Sequence, residues 1–186
     1  MLISFSGAQS TGKTTLLKHL QSKNNADIKF VPEVTRLINR TLNLPINEDG
    51  GILTQTMIMA EHVRNVYSNT FEKHVILDRC ALDGVVYTHW LRDVDQVDQE
   101  TYLHALNIFN QLQGKYDIIF YTDARDVALE DDGERSIDVS FRNKIINLFD
   151  LHSKNLDNIV VLTGTVEERL LTIKNTLALY NLDINI

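Results

Sequence analysis

The chain has 186 residues, 44% hydrophobic and 23% charged, with 8 Gly, 2 Pro and one Cys. That composition excludes collagen-like, mucin-like and disordered chains and fits one domain over residues 1–186. With 18 Lys+Arg against 25 Asp+Glu, the net charge of −7 opposes nonspecific adhesion to nucleic acid and leaves room only for a local basic pocket.

No apolar run approaches the ~20 residues of a membrane span. The start, Met1-Leu2-Ile3-Ser4-Phe5, lacks the basic region of a secretion signal. Cys80, standing alone, can form neither an internal disulfide nor a multi-cysteine zinc site. A cytoplasmic protein is expected.

Leu2–Ser6 is short and apolar, as strands covered on both faces are, and predicts the first strand. The next eight residues, Gly7-Ala8-Gln9-Ser10-Thr11-Gly12-Lys13-Thr14, fit G-x-x-x-x-G-K-[ST] at every specified position. The amphipathic run Thr15 to Leu20 then predicts a helix, so the motif sits between strand and helix as its chemistry requires. Glycines let backbone N–H groups turn inward around a phosphate chain, and the helix N-terminus adds partial positive charge. Gly7 through Thr15 are therefore expected to bind a nucleoside triphosphate. Lys13 should reach the β- and γ-phosphates, and the Thr14 hydroxyl should ligate Mg²⁺.

Ile28–Val31 predicts a second strand, stopped by Pro32. Glu33 comes next at the strand end, with Arg36 one helical turn on. Two readings stand for this pair: a carboxylate that receives the proton of an acceptor hydroxyl or grips a sugar, and a surface i, i+3 ion pair. Ile52, Met59, Val63 and Val66 share one face of a predicted helix. Val75–Asp78 predicts the third strand, and Asp78 stands where a Walker-B-type carboxylate would hold Mg²⁺. Arg79 beside it suits an anionic acceptor or the transferred phosphoryl group, unless the two form a structural salt bridge. Cys80 reads as a small buried filler.

Ala81 to Leu91 predicts a helix whose Tyr87, His89 and Trp90 form a core stripe or stack on a ligand ring. Asp117–Thr122 predicts the fourth strand. The charged stretch 124–140, with Arg125, Gly133 and Arg135, reads as neither helix nor strand. With Arg142 beyond it, it is expected to be a lid that brings arginines to the transferring phosphoryl group, or else a solvated charge cluster. Asn158–Leu162 predicts the last strand, and Val166, Leu170, Ile173 and Leu177 share a face of the last helix. Strands alternating with helices predict a parallel sheet wrapped by helices, with its ligand crevice beyond the C-terminal strand ends.

Taken together, Gly7 to Thr14, Val31-Pro32-Glu33 with Arg36, Asp78-Arg79, and Asp132-Gly133-Glu134-Arg135 form a set. In them the sequence resembles P-loop kinases of the NadR-like, ribosylnicotinamide kinase kind, including small AAA-type ATPases of viral genomes. Thymidylate and deoxynucleoside kinases look like more distant relatives. The resemblance implies a three-layer α/β P-loop kinase fold with a five-stranded parallel sheet, helices on both faces and an Arg-bearing lid at about 124–140. It also implies ATP and Mg²⁺, with Thr14 and Asp78 on the metal. The γ-phosphoryl would pass to a hydroxyl or phosphate of a nucleoside, nucleotide or related ribosyl acceptor. Lys13, Glu33, Asp78, Arg79 and Arg135 would then be catalytic, and Glu33, Arg36, Arg79 and Arg142 would touch the acceptor. Two alternatives keep the loop and change the rest: a kinase of a hydroxymethylated pyrimidine in DNA, and a nucleotide switch or NTPase with a protein partner.

Overall fold

Side chains that alternate along three neighbouring strands divide the core into two layers. The computed structural model describes residues 1–23, 25, 27–125 and 138–186. Strands β1 (Leu2–Ser6), β2 (Ile28–Val31), β3 (His74–Asp78), β4 (Ile118–Thr122) and β5 (Ile159–Leu162) form one parallel sheet in the order β2-β3-β1-β4-β5. The helices described are α1 (Lys13–Ser22), α2 (Val34–Leu42), α3 (Ile52–Ser68), α4 (Ala81–Asp93), α5 (Gln99–Leu112), α6 (Val139–Ser153) and α7 (Val166–Ala178).

Ile3, Phe5, Ile76, Ile118 and Phe120 point to one face, where α1, α7 and the later Leu182 and Ile184 cover them. Val75, Leu77, Ile119 and Tyr121 point to the other, under α3, α4, α5 and α6. That period of two, covered on both sides, is what makes the fold a three-layer α/β sandwich. A smaller cluster of Val34, Ile38 and Ile58 fastens α2 to α3. Among the described residues no helix is long and apolar enough to cross a membrane.

The strands lie where the apolar runs predict them, with β3 starting one residue earlier and β4 and β5 one residue later. Asp117 and Asn158 fall just outside, and their side chains bond neighbouring backbone. Asp117 accepts from the Leu2 N–H at 2.6 Å, and Asn158 donates to the Tyr116 carbonyl at 2.7 Å. Ile52, expected on the buried face of α3, is 49% exposed. The face that α3 buries is instead half polar: Thr54, Gln55, His62 and Asn65 beside Ile58, Met59 and Val66. A hydrophobic stripe cannot reveal such a face. Two helices, α4 and α5, connect β3 to β4, and only the first is expected from the sequence pattern. Register then sets the site: Phe5 stands opposite both Asp78 and Phe120, and Ser6 opposite Tyr121. The segments that leave β1, β3 and β4 therefore emerge side by side at one edge of the sheet.

Candidate active site

Gly7 to Thr14 leaves β1 as a loop whose conformation few residues could adopt. Gly7 has φ +137°, and a Cβ there would lie 2.7 Å from both the carbonyl and the hydroxyl oxygen of Thr122. Ser10 and Gly12 are left-handed, at φ 54° and 82°. Turning the backbone this way aims successive N–H groups inward at the start of α1. Within the loop the Thr11 and Thr122 hydroxyls meet at 2.6 Å, and Thr122 donates on to the Ser6 carbonyl at 3.1 Å. Lys13 folds back over the loop, donating to the carbonyls of Gly7 and Ala8 at 2.7 and 2.6 Å and to the Thr11 hydroxyl at 3.1 Å. Burial, and after it the Arg79 charge, lowers its ammonium to about 7.

Two arginines grip the loop from outside. Arg169 of α7 donates to the Thr11 carbonyl at 2.7 Å, to the Asp123 carbonyl at 3.2 Å and to the Gly164 carbonyl at 3.0 Å. Arg142 of α6 donates to the Ala124 carbonyl at 3.0 Å and, more weakly, to that of Ser10 at 3.4 Å. Turning these carbonyls outward helps keep the N–H groups of the loop facing in.

Next to the loop lies a knot of charge. Arg79, with a left-handed φ of 74°, comes directly after β3 and sends its guanidinium between two carboxylates. Its Nε donates to Glu33 at 2.6 Å and its Nη1 to Asp83 at 3.0 Å, while its plane passes 5.4 Å from the Tyr87 ring centre. The strained backbone aims the side chain where a right-handed residue would not. Glu33 accepts a second bond from Arg36 at 3.0 Å. Burial alone would raise its carboxyl, but Arg79 and Arg36 outweigh it and hold the group at about 2. Asp78 behaves oppositely: burial, then the Glu33 charge, raises it to about 6 against the pull of Arg79 and Lys13. Asp83 takes four donors, namely the Ser6 hydroxyl at 2.7 Å, the N–H groups of Gly7 and Cys80 at 3.3 and 3.1 Å, and Arg79.

Loop and knot share one cleft, lined by Gln9, Ser10, Thr11, Lys13, Thr14, Glu33, Asp78 and Arg79. Thr14 and Asp78 bring a hydroxyl and a carboxylate into it, the hard oxygen donors that suit Mg²⁺ alongside phosphate oxygens. Among the described residues no cluster of three His, Cys, Asp or Glu side chains forms a metal site by itself. A second cavity, about 20 Å³, opens beside Arg79 and Asp83 and is lined by Thr35, Asn47, Gln55, His62 and Tyr87. His62 Nδ1 and Gln9 Nε2 are buried with no hydrogen-bond partner among the described residues. Burial lowers His62 to about 4.

The structure thus brings Gly7 to Thr14, Glu33, Arg36, Asp78 and Arg79 together, with Thr15 exposed on the first turn of α1. Glu33 and Arg36 form the expected i, i+3 ion pair, and Glu33 also borders the cleft. Arg79 pairs with Glu33 and Asp83. Arg142, expected at the acceptor, lies behind the loop instead, where its length lets it reach backbone carbonyls. Arg135 and residues 126–137 of the expected lid lie outside the described residues. The irregular stretch ends sooner than expected, because Asp138 caps α6 at the N–H groups of Ser140 and Phe141. Arg125 pairs with Asp123 and Asp150 at the surface. Trp90 packs edge-on against Phe141 in the core, whereas Tyr87 donates to Gln9 of the loop at 3.1 Å. Burial pushes the Cys80 thiol up to about 12, as an inert filler requires.

Sequence reasoning misses Asp83, Arg169, Gln55 and His62. Asp83 alone leaves a signal, the Cys80-x-x-Asp83 capping-box spacing at the start of α4.

A family model described as an AAA domain matches residues 2–169. No curated protein matches the sequence. Among solved structures, NadR protein in complex with NR superposes with a TM-score of 0.73 at 17% identity, over 100% of this chain and 52% of that one. NadR with NAD and AMP-PNP gives 0.70 at 18% identity, over 100% and 51%. Deoxyadenosine kinase from M. mycoides with products dCMP and dCDP gives 0.70 at 16% identity, over 96% and 99%. The chain therefore spans about half the length of NadR and nearly all of the deoxyadenosine kinase, and it shares their fold.

Proposed function

The chain belongs to the AAA domain family, and from that footing we propose that it is an ATP-dependent phosphotransferase acting on a nucleoside, nucleotide or related ribosyl compound. One observation carries the reading. The phosphate loop and the Glu33–Arg79 pair line adjoining walls of one cleft, with Asp83 holding Arg79 from behind, so a γ-phosphate on the loop faces groups suited to hold an acceptor. NadR with NR and with AMP-PNP, and deoxyadenosine kinase with dATP, bind ligands of the proposed kinds.

The inward N–H groups of the loop hold the triphosphate, and Lys13 exchanges its carbonyl contacts for phosphate oxygens. Thr14 and Asp78 would hold Mg²⁺, which when bound neutralises phosphate charge. Glu33, fixed by two guanidinium groups, accepts the hydrogen bond of the acceptor hydroxyl and orients it. The acceptor oxygen bonds to the γ-phosphorus as the bond to the β,γ-bridging oxygen breaks, ADP leaves with that electron pair, and the hydroxyl proton passes along its hydrogen bond through the Glu33 carboxylate to solvent. The loose transition state asks for positioning more than for a strong base, so a carboxylate held near 2 suffices. The cavity beside Arg79, with Gln55, Asn47, His62 and Tyr87, offers hydrogen-bonding and stacking groups to the ring of the acceptor. Lid arginines, Arg135 first among them, complete the reading as charge-neutralising groups.

The test is ADP release from Mg²⁺·ATP, alone and with nucleosides, nucleoside monophosphates, nicotinamide riboside and hydroxymethylated DNA. Stimulation by one acceptor, lost in Lys13→Ala, is the expected result. Hydrolysis indifferent to every acceptor would move the assignment to an NTPase.

A further inference from the structure

Helices α1 and α2 face each other across the outer part of the sheet, α1 with Thr14, Leu17, Lys18 and Gln21 and α2 with Arg36, Leu37 and Arg40. Between them runs a groove of about 420 Å³, floored by the ends of β2 and β3. Its composition changes along its length. At the inner end stand Thr14, Glu33 and Asp78 of the cleft already described. Outward from them come Lys18 on the α1 wall and Arg36 and Arg40 on the α2 wall. Arg36 and Arg40 are i, i+4 neighbours, about 5–6 Å apart at Cβ. These cations gather on one side of the cleft in a chain whose net charge is −7.

Ligand sites commonly enclose roughly 300–1,000 Å³, and the groove, at about 420 Å³, falls in that range. Charge names the occupant: the Lys18 ammonium, the Arg40 guanidinium and that of Arg36, which also holds Glu33, match the oxygens of phosphate esters.

We propose that the groove between α1 and α2 seats a phosphate-bearing arm of the acceptor, a phosphate mono- or diester whose reacting group reaches the Thr14–Glu33–Asp78 end. The inference rests on the phosphotransferase reading and narrows its acceptor from neutral nucleosides to phosphate esters. A single phosphate or a short strand can supply that chemistry.

The test uses the full chain with ADP saturating the loop, and it reads equilibrium binding by titration calorimetry. The probes are the four deoxynucleosides, their 3′-phosphates and a mixed-sequence single-stranded hexanucleotide. Phosphate-bearing probes should bind at least about ten-fold tighter than the nucleosides, by a margin that shrinks as salt rises. In K18Q/R40Q that margin should vanish. Both side chains are exposed, so the fold stays intact. Turnover with the favoured ester should show a raised KM in this variant and an unchanged KM for ATP. A hexanucleotide that outbinds the 3′-phosphates points to a strand along the groove, and equal binding to a single phosphate. The proposal is overturned if no phosphate-bearing probe binds, if phosphate adds no affinity, or if its advantage survives K18Q/R40Q. Tight ester binding without acceptor-dependent ADP formation would keep the groove and sink the kinase. Turnover of nucleosides and esters with equal KM would do the reverse.

Discussion

The phosphate loop and the charge knot touch, yet they are held by different physics. Shape holds the loop: left-handed residues, a glycine against Thr122, and carbonyls pinned from behind by Arg142 and Arg169. Charge holds the knot, where one largely buried guanidinium is shared by Glu33 and Asp83. The loop should therefore be sensitive to added atoms and tolerant of lost polarity, and the knot the other way round.

The sharpest way to break this contrast is Asp83→Asn, which keeps the shape and removes the charge. Arg79 then loses one of its two ion-pair partners, and the loss should be about 3–5 kcal/mol of stability in urea unfolding. A loss under about 1 kcal/mol would mean that shape holds the knot as well. In the loop the matching change is Gly7→Ala. Strain and overlap with the Thr122 oxygens should together cost about 2–4 kcal/mol, read as an ATP affinity lowered at least about 30-fold. Unchanged affinity would show that the loop yields.

Acid probes the low-dielectric surroundings of the knot through His62, which faces Asp83 and Arg79. Its folded value of about 4 lies below the ordinary 6.5. As pH falls through 6.5 the unfolded chain binds the proton first, so stability declines until the folded imidazole also charges near 4. That decline should reach roughly 3 kcal/mol and flatten in His62→Phe, as followed by melting curves across this window. The smallest effect expected is that of Thr122→Val, which removes one hydroxyl from the loop contact and should cost about 1 kcal/mol. A larger loss there would move the loop toward the polar regime of the knot.

The same contrast explains what the sequence reveals. A phosphate cradle must be contiguous, so Gly7 to Thr14 announces itself as one unbroken motif. Glu33, Asp78 and Arg79 are legible because strand ends locate a crevice. Asp83 leaves only its capping-box spacing, and Gln55 and His62 leave nothing, since each is a polar residue on a helix face that looks half wrong until the cavity beside it is known. Arg169 acts on Thr11 from the far end of the chain, and no local pattern encodes a partner at that distance. Arg142 stands out for its charge but is misplaced by it, because a long cation reads the same whether it meets a ligand or the backbone.

The two arginines behind the loop also grip the residues that leave β4. Arg169 bonds Thr11 and Asp123 together, and Arg142 bonds Ser10 and Ala124. Each works as a rivet through two layers of backbone, so whatever shifts one carbonyl is felt by the other. On the proposed function, binding a triphosphate and fixing the exit of β4 would be thermodynamically coupled, and coupling runs both ways with the same factor. A partner, crosslink or substitution that immobilises Ala124 should change nucleotide affinity by the amount that the nucleotide changes the mobility of Ala124.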